Sequence, residues 1–181
     1  MGMGRRVLFL DRDGVINIDY GYVHQIETFH FMEGIFDLTR HAVRLGYGVV
    51  VVTNQAGIAR GYYTEAQFHH LTAWMVAEFA HQGVPVERVY FSPCHPTEGI
   101  GIYRREDPSR KPAPGMILQA RQELDVDLAA SVLIGDRISD MQAGMAAGVG
   151  CNLWYQPQPV ADSSIEGCHI IATLHAALPY L

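Results

Sequence analysis

The sequence predicts an α/β protein: a doubly wound, Rossmann-like parallel sheet of five or six strands. Three observations lead there. Short apolar runs recur along the chain, such as RRVLFL, YGVVVV and SVLI, and the second is apolar on both faces, as a central parallel strand is. Segments with apolar residues at helical spacing separate these runs, which implies βαβ units. Each run then gives way to polar residues, so chemistry collects at the carboxyl edge of the sheet, where such folds bind ligands.

The elements follow in order. Arg5–Leu10 is an apolar run closed by acidic residues and reads as the first strand. Gly34–Gly46 carries Ile35, Leu38, Ala42, Val43 and Leu45 at helical spacing and stops at a glycine. Tyr47–Val52 is the second strand. Thr64 and Gln67 have capping-box spacing and open a helix to Gln82, with Phe68, Leu71, Met75 and Phe79 on its buried face. Arg88–Phe91 is the third strand, and Pro112 and Pro114 open a helix through Gln122. Ser131–Ile134 is the fourth strand, followed by a helix to Ala147, and Cys151–Tyr155 is the fifth. A small strand and a short helix are expected within Ile170–Leu178.

Composition bounds the function. The 181 residues have the length of one domain, taken as residues 1–181. Apolar residues make up 49 % and charged residues 18 %, enough for a core and too apolar for disorder. A net charge of −6 disfavours a nucleic-acid partner. No stretch is apolar enough for a membrane span, and Asp11-Arg12-Asp13 interrupts any export signal, so a cytoplasmic location is expected. Three cysteines without framework spacing fit a reducing compartment. The acidic surface and lack of heptads suggest a monomer.

Four strand ends supply the candidate site: Asp11-Arg12-Asp13-Gly14, Thr53-Asn54-Gln55, Arg110-Lys111-Pro112 and Gly135-Asp136 through Asp140. Taken singly, Thr53 could be a helix cap, Lys111 a solvated charge, Asp136 a turn residue and Asp140 a surface helix residue. Together they suit phosphoryl transfer to a carboxylate. Asp11 can attack phosphorus and split one hydrolysis into two easier steps. A hard cation must then screen carboxylate from phosphate, and Mg²⁺, which prefers oxygen ligands, suits Asp11, Asp136 and the backbone carbonyl of Asp13. Asp13 lies on the same face of an extended segment and can serve as acid and base. Thr53 and Lys111 can bind the phosphoryl oxygens.

The pattern DRDG (11–14), TNQ (53–55), RKP (110–112) and GDxxxD (135–140) resembles the haloacid dehalogenase superfamily of phosphatases. LDRDGVINIDYGYV, VVVTNQAGIARG and RKPAPGM are more similar still to the family of D-glycero-D-manno-heptose 1,7-bisphosphate 7-phosphatases. The resemblance implies the haloacid dehalogenase fold, Asp11 as nucleophile, Asp13 as acid/base and Mg²⁺ at Asp11, Asp13 and Asp136. It implies substrate contacts at Asp19, Tyr20, Gly21 and Tyr22, at Thr53, Asn54, Gln55 and Ala56, and at Arg110, Lys111 and Arg137. The implied reaction removes the C7 phosphate of the small-molecule sugar bisphosphate, in the nucleotide-heptose route to the lipopolysaccharide core. Members of the family carry a zinc in the third loop. The matching positions here are Ser92, Cys94, Asp107 and Ser109, so no structural zinc is expected. The loop is expected to be held by Pro93, Pro96 and Pro108 and by packing alone.

The spacing leaves no room for a cap domain, so three loops, Asn17–Met32, Asn54–Tyr63 and Pro93–Arg110, are expected to form the rim. Arg110 and Arg137 suit a second phosphate, with Arg60, Arg104 and Arg105 as further candidates. Of the histidines, His24, in the first rim loop, is the one candidate for a ligand role. Two alternatives stand beside this reading. One is a histidinol-phosphate phosphatase. The other is a phospho-acceptor receiver domain, which stores phosphate rather than turning it over.

Overall fold

The computed structural model describes residues 4–158 and 164–181. The expected domain of residues 1–181 also takes in residues 1–3 and 159–163, which lie outside the described ones. Six parallel strands form one sheet in the order β3-β2-β1-β4-β5-β6. They are β1 (Val7–Leu10), β2 (Gly48–Asn54), β3 (Val86–Ser92), β4 (Val132–Gly135), β5 (Cys151–Tyr155) and β6 (Cys168–Ile171). The helices are α1 (Ile35–Arg44), α2 (Ala56–Ala59), α3 (Glu65–His81), α4 (Gly115–Leu124) and α5 (Ile138–Ala147). The chain winds outward through β2 and β3, then crosses back to β4 on the far side of β1. That reversal creates a crevice at the carboxyl ends of β1 and β4.

Alternation along the strands builds two cores. Leu8, Leu10, Val49, Val51 and Ile134 face α1 and the Leu71–Met75–Phe79 side of α3. Val7, Phe9, Val50, Val52 and Leu133 face Met116, Ile117 and Ala120 of α4 and Met141 of α5. All four residues of β1 are buried, as a strand covered on both faces must be.

Differences from the sequence-based expectation sit mainly at element ends. β2 extends to Asn54, because Thr53 and Asn54 pair with Phe91 and Ser92 of β3. The four-residue α2 is too short for a periodic signal. α4 starts at Gly115 rather than at the prolines, since Gly115 N donates to Pro108 O at 2.9 Å and a Cβ there would meet that oxygen at 2.2 Å. The C-terminal helix is a 3₁₀ segment, Leu174–Tyr180, with Pro179 inside it.

The capping box at α3 forms as its spacing suggests. Thr64 Oγ1 accepts from Gln67 N, and Gln67 Oε1 accepts from Thr64 N at 2.9 Å. Thr64→Ala removes one half of this exchange and costs about 1 kcal/mol. Thermal unfolding of the variant should show a midpoint lower by roughly 2–4 °C.

Candidate active site

The expected strand ends converge. Lys111, in the segment after the long loop beyond β3, is 4 % exposed. Its Nζ lies 2.9 Å from Asp11 Oδ1 at the end of β1 and 2.5 Å from Asp140 Oδ1 in the first turn of α5. It also donates to Val52 O in β2 at 2.8 Å. Asn54 clamps the Lys111 backbone from both sides: Nδ2 donates to Lys111 O at 2.9 Å and Oδ1 accepts from Lys111 N at 3.0 Å. The Asn54 amide, expected to contact substrate, holds the lysine backbone and also lines the cavity above it.

Asp11, Asp136 and Asp140 each offer a carboxylate oxygen within 4.8 Å of the others. Asp136 Oδ1 is buried without a hydrogen-bond partner. Gly14, at φ +90°, makes room for it, because a Cβ there would meet Asp136 Oδ2 at 2.3 Å. Three carboxylates face one ammonium, and an all-oxygen donor set with an unsatisfied buried oxygen fits a hard divalent cation. Asp140 was not among the metal residues expected. Its signal was the GDxxxD motif, which sets Asp136 just after β4 and Asp140 in the first turn of α5. The Asp13 side chain is not in this group. It is held by Arg12 Nη2 at 2.9 Å to both oxygens, by Asn17 Nδ2 at 3.1 Å and by Gln55 Nε2 at 3.1 Å.

Burial pushes the Asp11 pKa well above the ordinary carboxylate range, against the pull of Lys111 and with the push of Asp140 and Asp136. Burial, then Asp140, raises Asp136 to about 6. The Lys111 pKa is also raised: two facing carboxylates outweigh the cost of burial and keep it charged.

A cavity of about 570 Å³ opens above this cluster. Of the expected contacts, Asp19, Gly21, Tyr22, Asn54, Gln55, Ala56, Arg110, Lys111 and Arg137 line it. Tyr20 is not in its lining; it is exposed and packs edge-on against His30. Thr53 is buried beneath, its Oγ1 accepting from Gln55 Nε2 at 2.8 Å. Arg60 lines the cavity, whereas Arg105 turns away to donate to Cys94 Sγ at 3.3 Å. His24 stacks on Tyr63 and His95 faces the cavity in its stead. Burial, then Arg110 and Arg60, lowers the His95 pKa.

The rim loops are tied to one another. Asp19 accepts from Arg137 at 3.0 Å, Arg60 pairs with Glu98, and Ile100 N donates to Ala59 O at 2.8 Å. Arg110 meets a neutral partner, donating to the Cys94 carbonyl at 3.1 Å, and burial and Arg60 both lower its pKa. An anion in the cavity would relieve that crowding of cations.

The expectation that packing and prolines alone hold the third loop is corrected. Ser92 Oγ donates to Asp107 Oδ2 at 2.6 Å, and Ser109 N donates to Asp107 Oδ1 at 2.9 Å. These polar contacts join three of the four positions matched to zinc ligands. Arg12 was also missed. It is 1 % exposed, donates to Val23 O at 2.6 Å and sits between Phe29 and Phe68.

The parallel sheet and its carboxylate–lysine cluster define an α/β enzyme of phosphate chemistry. Comparison with known proteins narrows the class. Residues 108–163 match a family model described as HAD-hydrolase-like. D-glycero-alpha-D-manno-heptose-1,7-bisphosphate 7-phosphatase of Burkholderia mallei is 50 % identical over 179 residues, covering 99 % of this chain and 95 % of the relative. D-glycero-beta-D-manno-heptose-1,7-bisphosphate 7-phosphatase of Escherichia coli K12 is 50 % identical over 173 residues, 95 % and 91 % of the two chains. The crystal structure of D,D-heptose 1,7-bisphosphate phosphatase from B. bronchiseptica, complexed with magnesium and phosphate, superposes with a TM-score of 0.83. It is 28 % identical and covers 97 % of each chain. The chain belongs to the haloacid dehalogenase-like phosphatases, in the heptose 1,7-bisphosphate 7-phosphatase family. It is therefore a phosphoric monoester hydrolase, and the receiver-domain alternative falls.

Two measurements check this geometry. In Asp107→Ala the Ser92 hydroxyl, fully buried, loses its acceptor, at a cost of about 1–3 kcal/mol. Burial raises the Asp107 pKa, but the bonds from Ser92 and Ser109 outweigh it and hold it below the usual value. Its stabilisation is therefore complete above the unfolded carboxyl pKa and lost as pH falls through the folded one. The gap in unfolding midpoint between wild type and variant should close in acid. The second measurement is the rise in unfolding midpoint on adding Mg²⁺. It should be larger at about pH 7.5 than at about pH 5, where protons compete for the carboxylates. Without the cation the sign reverses. A carboxyl raised to about 6 destabilises above that pH, and the cost is relieved as pH falls through it.

Proposed function

We propose that the chain hydrolyses the C7 phosphate of D-glycero-D-manno-heptose 1,7-bisphosphate, through an aspartyl-phosphate on Asp11. One observation carries the reading: a buried lysine bound to two carboxylates, Asp11 and Asp140, sits under a cavity whose rim presents Arg60, Arg110 and Arg137. The 50 % identity to phosphatases named for this substrate supports it.

Asp11 lies at the end of β1, inside the crevice, with one oxygen on Lys111. Its carboxylate attacks phosphorus, and the bond from phosphorus to the sugar C7 oxygen breaks. The Asp13 carboxyl gives its proton to that oxygen as it leaves. A water then attacks the phosphoryl group, its proton passing back to Asp13, and phosphate departs with Asp11 restored. Lys111 and the Thr53 hydroxyl hold phosphoryl oxygens, where charge gathers in the transition state. Asp11, Asp136 and Asp140, with the Asp13 backbone carbonyl, are the residues that would hold Mg²⁺, which when bound supplies positive charge between carboxylate and phosphate. Arg110 takes the distal phosphate, with Arg60 and Arg137 beside it, since guanidinium matches phosphate with paired donors.

The product, heptose 1-phosphate, would enter the nucleotide-heptose route. Residues 1–181 are read as one domain, acting as a monomer in the cytoplasm without a nucleic-acid partner. Among the described residues no helix is long and apolar enough to cross a membrane.

Turnover of the α and β anomers of the heptose bisphosphate, and of histidinol phosphate, with Mg²⁺ present, tests the reading. Either anomer should be turned over far faster than histidinol phosphate. The reverse preference would reinstate the histidinol alternative. Asp11→Asn should abolish turnover while the fold persists, and near-native activity in that variant would remove Asp11 as nucleophile.

A further inference from the structure

Gln55 is 1 % exposed, and both hydrogens of its amide are committed inside the protein. Nε2 donates to Asp13 Oδ2 at 3.1 Å and to Thr53 Oγ1 at 2.8 Å. Its Oε1 accepts from the Tyr63 hydroxyl at 2.5 Å. Tyr63 is itself 5 % exposed and firmly seated. Its ring lies on Gly57, where a Cβ would meet Tyr63 Cε1 at 2.1 Å. The His24 ring stacks on it, centroids 4.9 Å apart and 8° from parallel.

The Asp13 carboxyl has three partners, and they do different work. Arg12 Nη2 lies 2.9 Å from both oxygens, so it supplies charge but does not choose between them. The choice falls to two side-chain amides, Asn17 on Oδ1 and Gln55 on Oδ2. Asn17 Nδ2 is anchored independently, by Ile18 O at 2.9 Å. The Gln55 amide has Tyr63 as its anchor. A half-turn of that amide would aim Oε1 at the Asp13 carboxylate, oxygen against oxygen, so the carboxylate sets which way the amide faces. The Tyr63 hydroxyl donates to Oε1 and holds the amide in that orientation.

We propose that Tyr63, acting through the Gln55 amide, positions the Asp13 carboxyl for proton delivery to the leaving oxygen. This makes Tyr63 a positioning residue, and it moves Gln55 from substrate contact to the same task. The inference rests on the reading of Asp13 as acid and base given above.

The test is steady-state kinetics of Tyr63→Phe, which keeps the ring, with two substrates. The sugar bisphosphate has an alkoxide leaving group that needs the proton; p-nitrophenyl phosphate has one that leaves without it. On the sugar bisphosphate kcat should fall about tenfold with KM unchanged. On p-nitrophenyl phosphate kcat/KM, which reports the first phosphoryl transfer and not the later water attack in which Asp13 is base, should fall less than about threefold, since acid catalysis contributes little there. Gln55→Met should show the same substrate pattern, and the double variant should be no slower than Gln55→Met alone, since Tyr63 acts through that amide. Equal losses of kcat/KM on the two substrates, a change confined to KM, or additive losses in the double variant would each overturn the relay. Asp13→Asn separates the two levels of the argument. If it keeps full activity on the sugar bisphosphate, the acid role itself falls. If it is inactive while Tyr63→Phe behaves as wild type, the relay alone is wrong.

Discussion

The site is built around one buried ammonium. Lys111 sits 3 % exposed in its side chain between Asp11 and Asp140, with its third contact to the Val52 carbonyl. A buried charge is costly unless paired and hydrogen-bonded, and here two carboxylate oxygens and a backbone carbonyl surround the ammonium. The partners come from β1, β2 and α5, while the lysine arrives on the segment after the third loop. One side chain thereby fastens together the parts of the fold that carry the chemistry. The clamp of Asn54 on the Lys111 backbone adds a second tie between the same segments. With the lysine removed, three carboxylates would face one another in a buried crevice with no fixed positive charge among them.

The rim of the cavity is held by contacts between segments that follow different strands. The segments after β1 and β4 meet through Asp19 and Arg137, and the loops after β2 and β3 through Arg60 with Glu98 and Ile100 with Ala59. The third loop is shaped by side-chain chemistry of its own. Asp107 gathers Ser92 and Ser109, and Cys94 accepts from Arg105 through sulfur and from Arg110 through its carbonyl. Hydrogen bonds thus occupy positions where the family resemblance would place metal ligands. They leave Arg110 facing the cavity, so the loop's internal order and its role toward an anion are linked.

Much of the fold was legible. Apolar runs marked the strands because a sheet covered on both faces has no polar alternation to hide. The Thr64–Gln67 spacing marked the start of α3 because a capping box is a local event. Four of the strand ends announced themselves by polar residues following apolar ones. What failed was what lacked a local period: α2, with four residues, and the start of α4, set by the approach of Gly115 to Pro108. Asp140 looked like any helix-surface acid until α5 was docked with its first turn over Lys111. Arg12 gave no warning at all, since a charged residue at 1 % exposure requires partners supplied from distant segments.

By itself, then, the order of residues determined the sheet, the edge where chemistry gathers and the type of reaction those groups can run. These depend on periodicity and residue type, which act over a few neighbours. Tertiary structure alone decided which polar groups line the cavity and which side chains they hold in place. Asn54 and Gln55 adjoin in sequence and were assigned the same task, yet one clamps Lys111, 57 positions away, and the other meets Asp13 across 42. The reason is directional. A hydrogen bond depends on where two side chains point after packing, and no spacing along the chain carries that information.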